Sequence, residues 1–344
     1  MRRLQGPHDP HVIVDRGFWK HSIALTNEAY PSKLAAKNFL EGENVKTTSE
    51  RLTSDVRTPC VTLDSSGDQH GFEPTWIRPD EGWLSGLSVS EIWKYRDLLA
   101  ILVWRDITVW YKQTLLGVAW AVLQPLAAMV VFAVVFGMLA KMPSNGAPYP
   151  VFAYAGLVLW SFFAQAVTQA ANSLVENEKL VTRVYFPRLL VPVAAVGSCL
   201  LHMLISGLLL FVLLPWYGLT PSTNVWILPV AVGLAVLSAT GVGLWLAAFN
   251  VRYRDVRYVI PFLIQVWMYA SPVVYPASLI PVTWRPLVGL NPMAGAIETF
   301  RWGLLGTNDA PWQIVAVSLC SMVFLLTTGL VYFQRVEKYF ADVI

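Results

Sequence analysis

An all-α polytopic membrane protein is the fold class this 344-residue chain predicts. Three observations predict it. Hydrophobic residues make up 55% of the chain and charged ones only 14%, whereas a soluble surface needs about a quarter charged residues. Six long apolar segments each approach the roughly 20 residues that a helix needs to cross about 30 Å of hydrocarbon. The Lys and Arg residues of the short loops between those segments concentrate on one side.

Residues 1–72 are polar, without sustained periodicity, and rich in Ser, Thr, Asp, Glu and Gly, which predicts a disordered cytoplasmic tail. Arg2 and Arg3 are followed by Gln5-Gly6-Pro7 rather than by an apolar core, so no cleaved signal is expected and the first span inserts itself. Residues 73–114 form a cytoplasmic interface region. Ser88 and Glu91 have capping-box spacing and predict a helix start. Trp93, Lys94, Arg96, Trp104 and Arg105 then mix rings and cations, as suits a helix lying at the headgroup level.

The transmembrane domain, 115–334, contains spans at about 115–139 (with Pro125 inside), 151–174, 189–214, 225–249, 259–275 and 312–333. Residues 335–344 are a cytoplasmic end. Arg105 and Lys112, then Lys179, Arg183 and Arg188, then Arg252, Arg254 and Arg257, then Arg335 and Lys338 fall on one side. The other side offers Lys141, Arg285 and Arg301. Both termini are therefore placed in the cytoplasm. Between spans five and six, residues 277–310 are long for a loop and too short for two crossings. Their Pro and Gly residues predict two short re-entrant helices at the outer face, covered by protein. Glu298 and Arg301, three apart, share a helix face there.

The net charge of +3 is too small to suggest a nucleic-acid partner. Cys60, Cys199 and Cys320 are isolated, with no disulfide or metal spacing. No lysine follows a glycine, so the chain lacks a phosphate-binding loop and is not expected to hydrolyse ATP. The spans hold almost no ionisable residue except His202, which disfavours a secondary carrier. No carboxylate, His or Cys cluster stands at either surface, which disfavours a membrane glycosyltransferase. What remains is a passive pathway driven by a partner. Residues 172–192 then read as a charged cytoplasmic island between two greasy segments, where such a partner could grip.

Four separated motifs carry a resemblance: WRDITVWYKQTLLGVAWAVLQPL at 104–126, VYFPRL at 184–189, NVRYRDV at 250–256 and LNPM at 290–293. Together they resemble the permease subunits of polysaccharide-exporting ABC transporters of the ABC-2 type, nearest the O-antigen exporters, with teichoic-acid and capsule permeases as cousins. The likeness runs from about residue 76 to the end and leaves 1–72 outside it. It implies a multi-pass protein of the bacterial inner membrane that pairs with a second copy of itself and with two copies of a separate ABC ATPase. That partner, not this chain, would bind ATP and Mg. The implied cargo is a lipid-linked glycan such as O-antigen. The alternatives within the class are teichoic acid, capsule, drug or lipid.

On this reading Lys179, Arg183, Tyr185, Phe186, Pro187 and Arg188 belong to an ATPase-coupling helix (174–188), with the apolar trio as a plug. In span two, Gln165, Thr168, Gln169 and Asn172 recur at three- and four-residue steps and make one polar stripe. Sugar hydroxyls could bond to that stripe and sugar faces could stack on Trp160 or Trp267. Helix–helix hydrogen bonding is the competing reading of the stripe. Asn291, Pro292, Glu298 and Arg301 are the outer-gate candidates.

Overall fold

The computed structural model describes residues 95–112, 119–183, 186–253, 255–306 and 310–337. The expected tail at 1–72, the cap at Ser88, Trp93, Lys94 and Tyr185 lie outside the described residues. Within them the regular structure is helical, with no strand.

The first helix, α1, spans Arg96–Lys112. Next comes α2, Ala119–Phe132, which contains Pro125 and continues as a π-helical stretch, Ala133–Leu139. α3, Tyr149–Glu176, is buried on nearly every face of its first two-thirds, from Val151 to Ala171. A helix that is apolar all round belongs inside a bundle, and α3 is the axis here, packed by α2, α5 (Leu190–Trp216), α6 (Leu228–Arg252) and α9 (Pro292–Leu305). Between α3 and α5 lies the six-residue α4, Glu178–Arg183. A 3-10 turn, Thr223–Ile227, leads into α6. The last helix, α10, spans Trp312–Glu337 and runs along α6.

Among the described residues, five helical stretches are long and apolar enough to cross a bilayer: Ala119–Leu139, Tyr149–Glu176, Leu190–Trp216, Thr223–Arg252 and Trp312–Glu337. The expected fifth span differs. Its helix, α7, is Val256–Ala270, 15 residues, about 22 Å at 1.5 Å per residue and short of the roughly 30 Å core. The cause is local. Ser271 precedes Pro272, whose ring disfavours a helical residue before it, and Ser271 is extended (φ −99°, ψ 147°). The expected end at 275 is therefore corrected to Ala270.

Two 3-10 turns, Ala277–Leu279 and Val282–Trp284, lead to the two short helices expected from the Pro/Gly punctuation: α8, Arg285–Gly289, and α9. The Asn291 side chain accepts the Met293 N–H at 3.1 Å, and Pro292 needs no donor partner at the first helical position, so α9 starts there. Gly306, at φ 64°, ends it in the left-handed conformation.

The core has two main parts. The larger surrounds α3. The smaller gathers Leu102 of α1, Leu174, Val181, Phe186, Leu190, Val251 and Phe333. That second cluster closes the end of the bundle that carries α4, and α8 and α9 cover the opposite end.

Candidate functional site

The α4 end is built from a one-residue interruption. Asn177 donates through Nδ2 to the Ser173 carbonyl at 2.8 Å and caps α3, and α4 begins at Glu178. Glu178, Lys179 and Thr182 are exposed and Val181 is turned inward. Of the expected coupling residues, Lys179 projects outward and Arg183 ends α4. Phe186 is buried within this chain's own second cluster, so its ring is not offered outward as a plug. Pro187 is half-buried. Arg188 is tied to the far end of α10: its backbone N–H donates to Glu337 Oε1 at 3.2 Å and its Nη1 to the Glu337 carbonyl at 2.7 Å. On α1, Arg96 pairs with Asp97 and Arg105 with Asp106, while Ile101 and Trp104 stand exposed.

The polar stripe on α3 exists as a stripe, but its members do different things. The Thr168 hydroxyl donates to the Ala164 carbonyl in its own helix. Gln169 Oε1 accepts from Ser198 Oγ at 3.4 Å and Cys199 Sγ at 3.3 Å, both on α5. Asn172 Oδ1 accepts from Asn250 Nδ2 at 3.1 Å, on α6. Of the four, Gln165 alone keeps a buried side-chain oxygen without a hydrogen-bond partner. It lines a cavity of about 10 Å³ together with Gln124, Ser161, His202 and Ser206. Ligand pockets start near ~300 Å³, so no sugar fits there in this arrangement. Trp160 and Trp267 lie on either side of Phe163, with ring centroids at 5.4 and 5.2 Å from it.

At the opposite end, Glu298 and Arg301 do meet, at 3.4 Å. Spacing alone suggested an interfacial pair, but Arg301 is only 1% exposed. Its guanidinium bonds to the carbonyls of Phe152, Pro272 and Val273 and lies 3.7 Å from the Phe152 ring centroid. Burial pulls its pKa down from the usual arginine value, opposed by the Glu298 carboxylate. The Glu298 carboxyl is pushed up by the same burial, opposed by Arg301 and the Ala277 N–H. Asn291 Nδ2 donates to the Ser271 hydroxyl at 2.7 Å, which joins the α9 cap to the α7 exit.

Three polar contacts escaped sequence reasoning. Ser206 on α5 bonds to Ala121 on α2, Asn250 spans α6 to α3, and Ser318 on α10 serves α8 and α9. Each is a single Ser or Asn in a greasy helix, and only Pro125 marked a carbonyl in need. Among the described residues no three His, Cys, Asp or Glu side chains could hold a metal ion.

Known proteins say what this bundle of apolar helices is similar to. The chain is 30% identical over 255 residues to the O-antigen export system permease protein RfbA of Myxococcus xanthus, covering 73% of this chain and 97% of that one. It is 28% identical over 250 residues to the RfbA of Klebsiella pneumoniae, covering 72% and 95%. It is 23% identical over 222 residues to the polysialic acid transport protein KpsM of Escherichia coli, covering 63% and 83%. Residues 97–305 match the ABC-2 type transporter family, and the chain belongs to that family as an integral-membrane permease.

Proposed function

We propose that this permease exports a lipid-linked polysaccharide of the O-antigen kind across the bacterial inner membrane, as a homodimer driven by two copies of a separate ATPase. The observation that carries the reading is the match to an O-antigen permease over 97% of that protein's length. In this reading both termini are cytoplasmic, α7 and the extended chain after it make a sixth crossing, and α8–α9 re-enter from the outer face. The ATPase docks on the α4 end. Lys179 and Arg183 supply its contacts, while Phe186 and Arg188 anchor the segment to the bundle. Closure of the ATPase pair on ATP then pushes α4 and tilts α2, α3 and α7 against their symmetry mates.

Deleting the gene should leave lipid-linked glycan accumulating on the inner face, and restoring it with the ATPase encoded beside it should return the polymer to the surface. Normal surface polymer in the deletion strain would overturn the reading. Capsule is the second reading, and the similarity to the polysialic acid transport protein KpsM favours a polymer other than O-antigen. It is the better reading if the deletion removes capsule and leaves O-antigen intact.

A further inference from the structure

Arg301 sits on α9 with one carboxylate in reach, yet most of its bonds go elsewhere. Nη1 donates to the Pro272 carbonyl at 2.6 Å, Nη2 to the Val273 carbonyl at 2.5 Å and Nε to the Phe152 carbonyl at 3.2 Å. The first two acceptors belong to the chain just after α7, where the helix has ended and no helical N–H serves them. The next carbonyl along, Val274, accepts the Tyr149 hydroxyl at 2.8 Å. Slightly further, the Ala277 N–H donates to Glu298 Oε1 at 3.2 Å. Together these contacts hold the exit of α7 against α3 and α9.

The seat is shaped for a guanidinium. A Cβ at Gly156 would stand 2.5 Å from Arg301 Nη2 and 3.0 Å from the Val273 oxygen. A planar fork can reach three carbonyls on two chain segments and stack on a ring, which the single ammonium of lysine cannot do. The platform that carries Arg301 is itself fixed. Ser318 Oγ on α10 accepts from the Gly295 N–H at 3.1 Å, and the Leu304 carbonyl accepts from the Ser222 N–H at 3.0 Å. Away from its exit, α7 makes few buried contacts within this chain. It buries only Ile260 and Ile264, while Tyr258 and Phe262 stand 80% and 69% exposed.

We propose that Arg301 is the positioning residue that pins the exit of α7, making that end the pivot about which the helix swings while its Asp255 end travels. Use of the swing for export rests on the transport reading above, but the pinning does not. Arg301 is thus a clamp on backbone carbonyls rather than a gate charge that meets cargo.

The test uses the full chain in lipid nanodiscs, with Cys60, Cys199 and Cys320 replaced and spin-labelled chain diluted into unlabelled chain. One label sits at Phe324 on α10, the other at Tyr269 or at Tyr258, and pulsed electron resonance reads both distances. The Tyr269 pair should give one narrow distribution and the Tyr258 pair a broad one. Arg301→Gln should abolish the narrow Tyr269 peak and leave the Tyr258 pair as in the parent, with Arg301→Lys only partly restoring it. Gly156→Ala, which puts a methyl group in the seat, should act like Arg301→Gln and carries the test if that variant does not purify. An unchanged Tyr269 peak in either variant overturns the proposal, as does equal broadening at both ends. A parent whose Tyr269 pair is the broader of the two overturns it without any variant. None of these readings needs the ATPase or a glycan, so failure of the export reading leaves the result intact.

Discussion

The Ser206 hydroxyl donates to the Ala121 carbonyl at 2.6 Å. Ala121 lies four residues before Pro125, which has no N–H, so its carbonyl has lost its helical donor. Ser206 belongs to α5, so the break in α2 is repaired by a neighbouring helix, as proline inside a membrane requires. The same residue's carbonyl accepts the Tyr154 hydroxyl at 3.0 Å and ties the repair to α3.

Ser206→Ala should therefore lower stability by about 1–3 kcal/mol, because a buried carbonyl is left unpaired. Pro125→Ala restores the backbone donor, and in that background Ser206→Ala should cost far less. Thermal unfolding in detergent of the four proteins of this cycle checks the coupling, and simple additivity would refute it.

The polar stripe on α3 should separate into packing and pathway. Gln169→Leu removes the acceptor shared by Ser198 and Cys199 and should cost about 0.6 kcal/mol, the average for a hydrogen bond between membrane helices. Gln165→Leu removes an oxygen with no partner and should leave stability at the parent level while export falls. Unfolding and surface-polymer assays on the same two variants decide it. Full export with Gln165→Leu assigns that residue to packing.

The α4 end should lose its partner before it loses its fold. A Lys179→Glu, Arg183→Glu double variant should insert normally and bind the ATPase at least about tenfold more weakly, roughly 1.4 kcal/mol. Arg188→Glu, by contrast, should weaken the hold on Glu337, seen as faster hydrogen exchange at the end of α10. Undiminished co-purification of the double variant would sink the docking assignment.

Helices α6 and α10 meet through glycine. A Cβ at Gly329 would stand 2.7 Å from the Gly241 carbonyl oxygen, and one at Gly241 would stand 2.9 Å from the Leu326 nitrogen. Small residues let backbones approach this closely, and dispersion between the helices then works at full strength. Gly329→Ala should push them apart and cost about 1–3 kcal/mol of overpacking strain. It should also disturb the stack of Trp245 on Tyr332, whose centroids are 4.5 Å apart. A shift in tryptophan emission alongside the melting temperature would register both.

By itself the sequence determined the class, five of the long apolar segments, two short helices within 277–310 and the pairing of Glu298 with Arg301. These follow from hydropathy length and from i, i+3 spacing, which are local properties of the chain. It determined the stripe on α3 as well, because four polar residues at helical spacing must share a face. Tertiary structure decided what those residues touch. Gln169 and Asn172 are engaged by Ser198 and Asn250 on other helices, which leaves Gln165 alone with an unpaired oxygen. Phe186 is turned inward, into a cluster to which three distant segments bring Leu102, Val251 and Phe333. Arg301 was legible only as a cation near Glu298. That it carries the carbonyls of Pro272 and Val273 depends on α3, α7 and α9 meeting at Gly156. Hydropathy registers how greasy a residue is and not which neighbour meets its polar atoms, and a buried guanidinium is stable only where such neighbours converge.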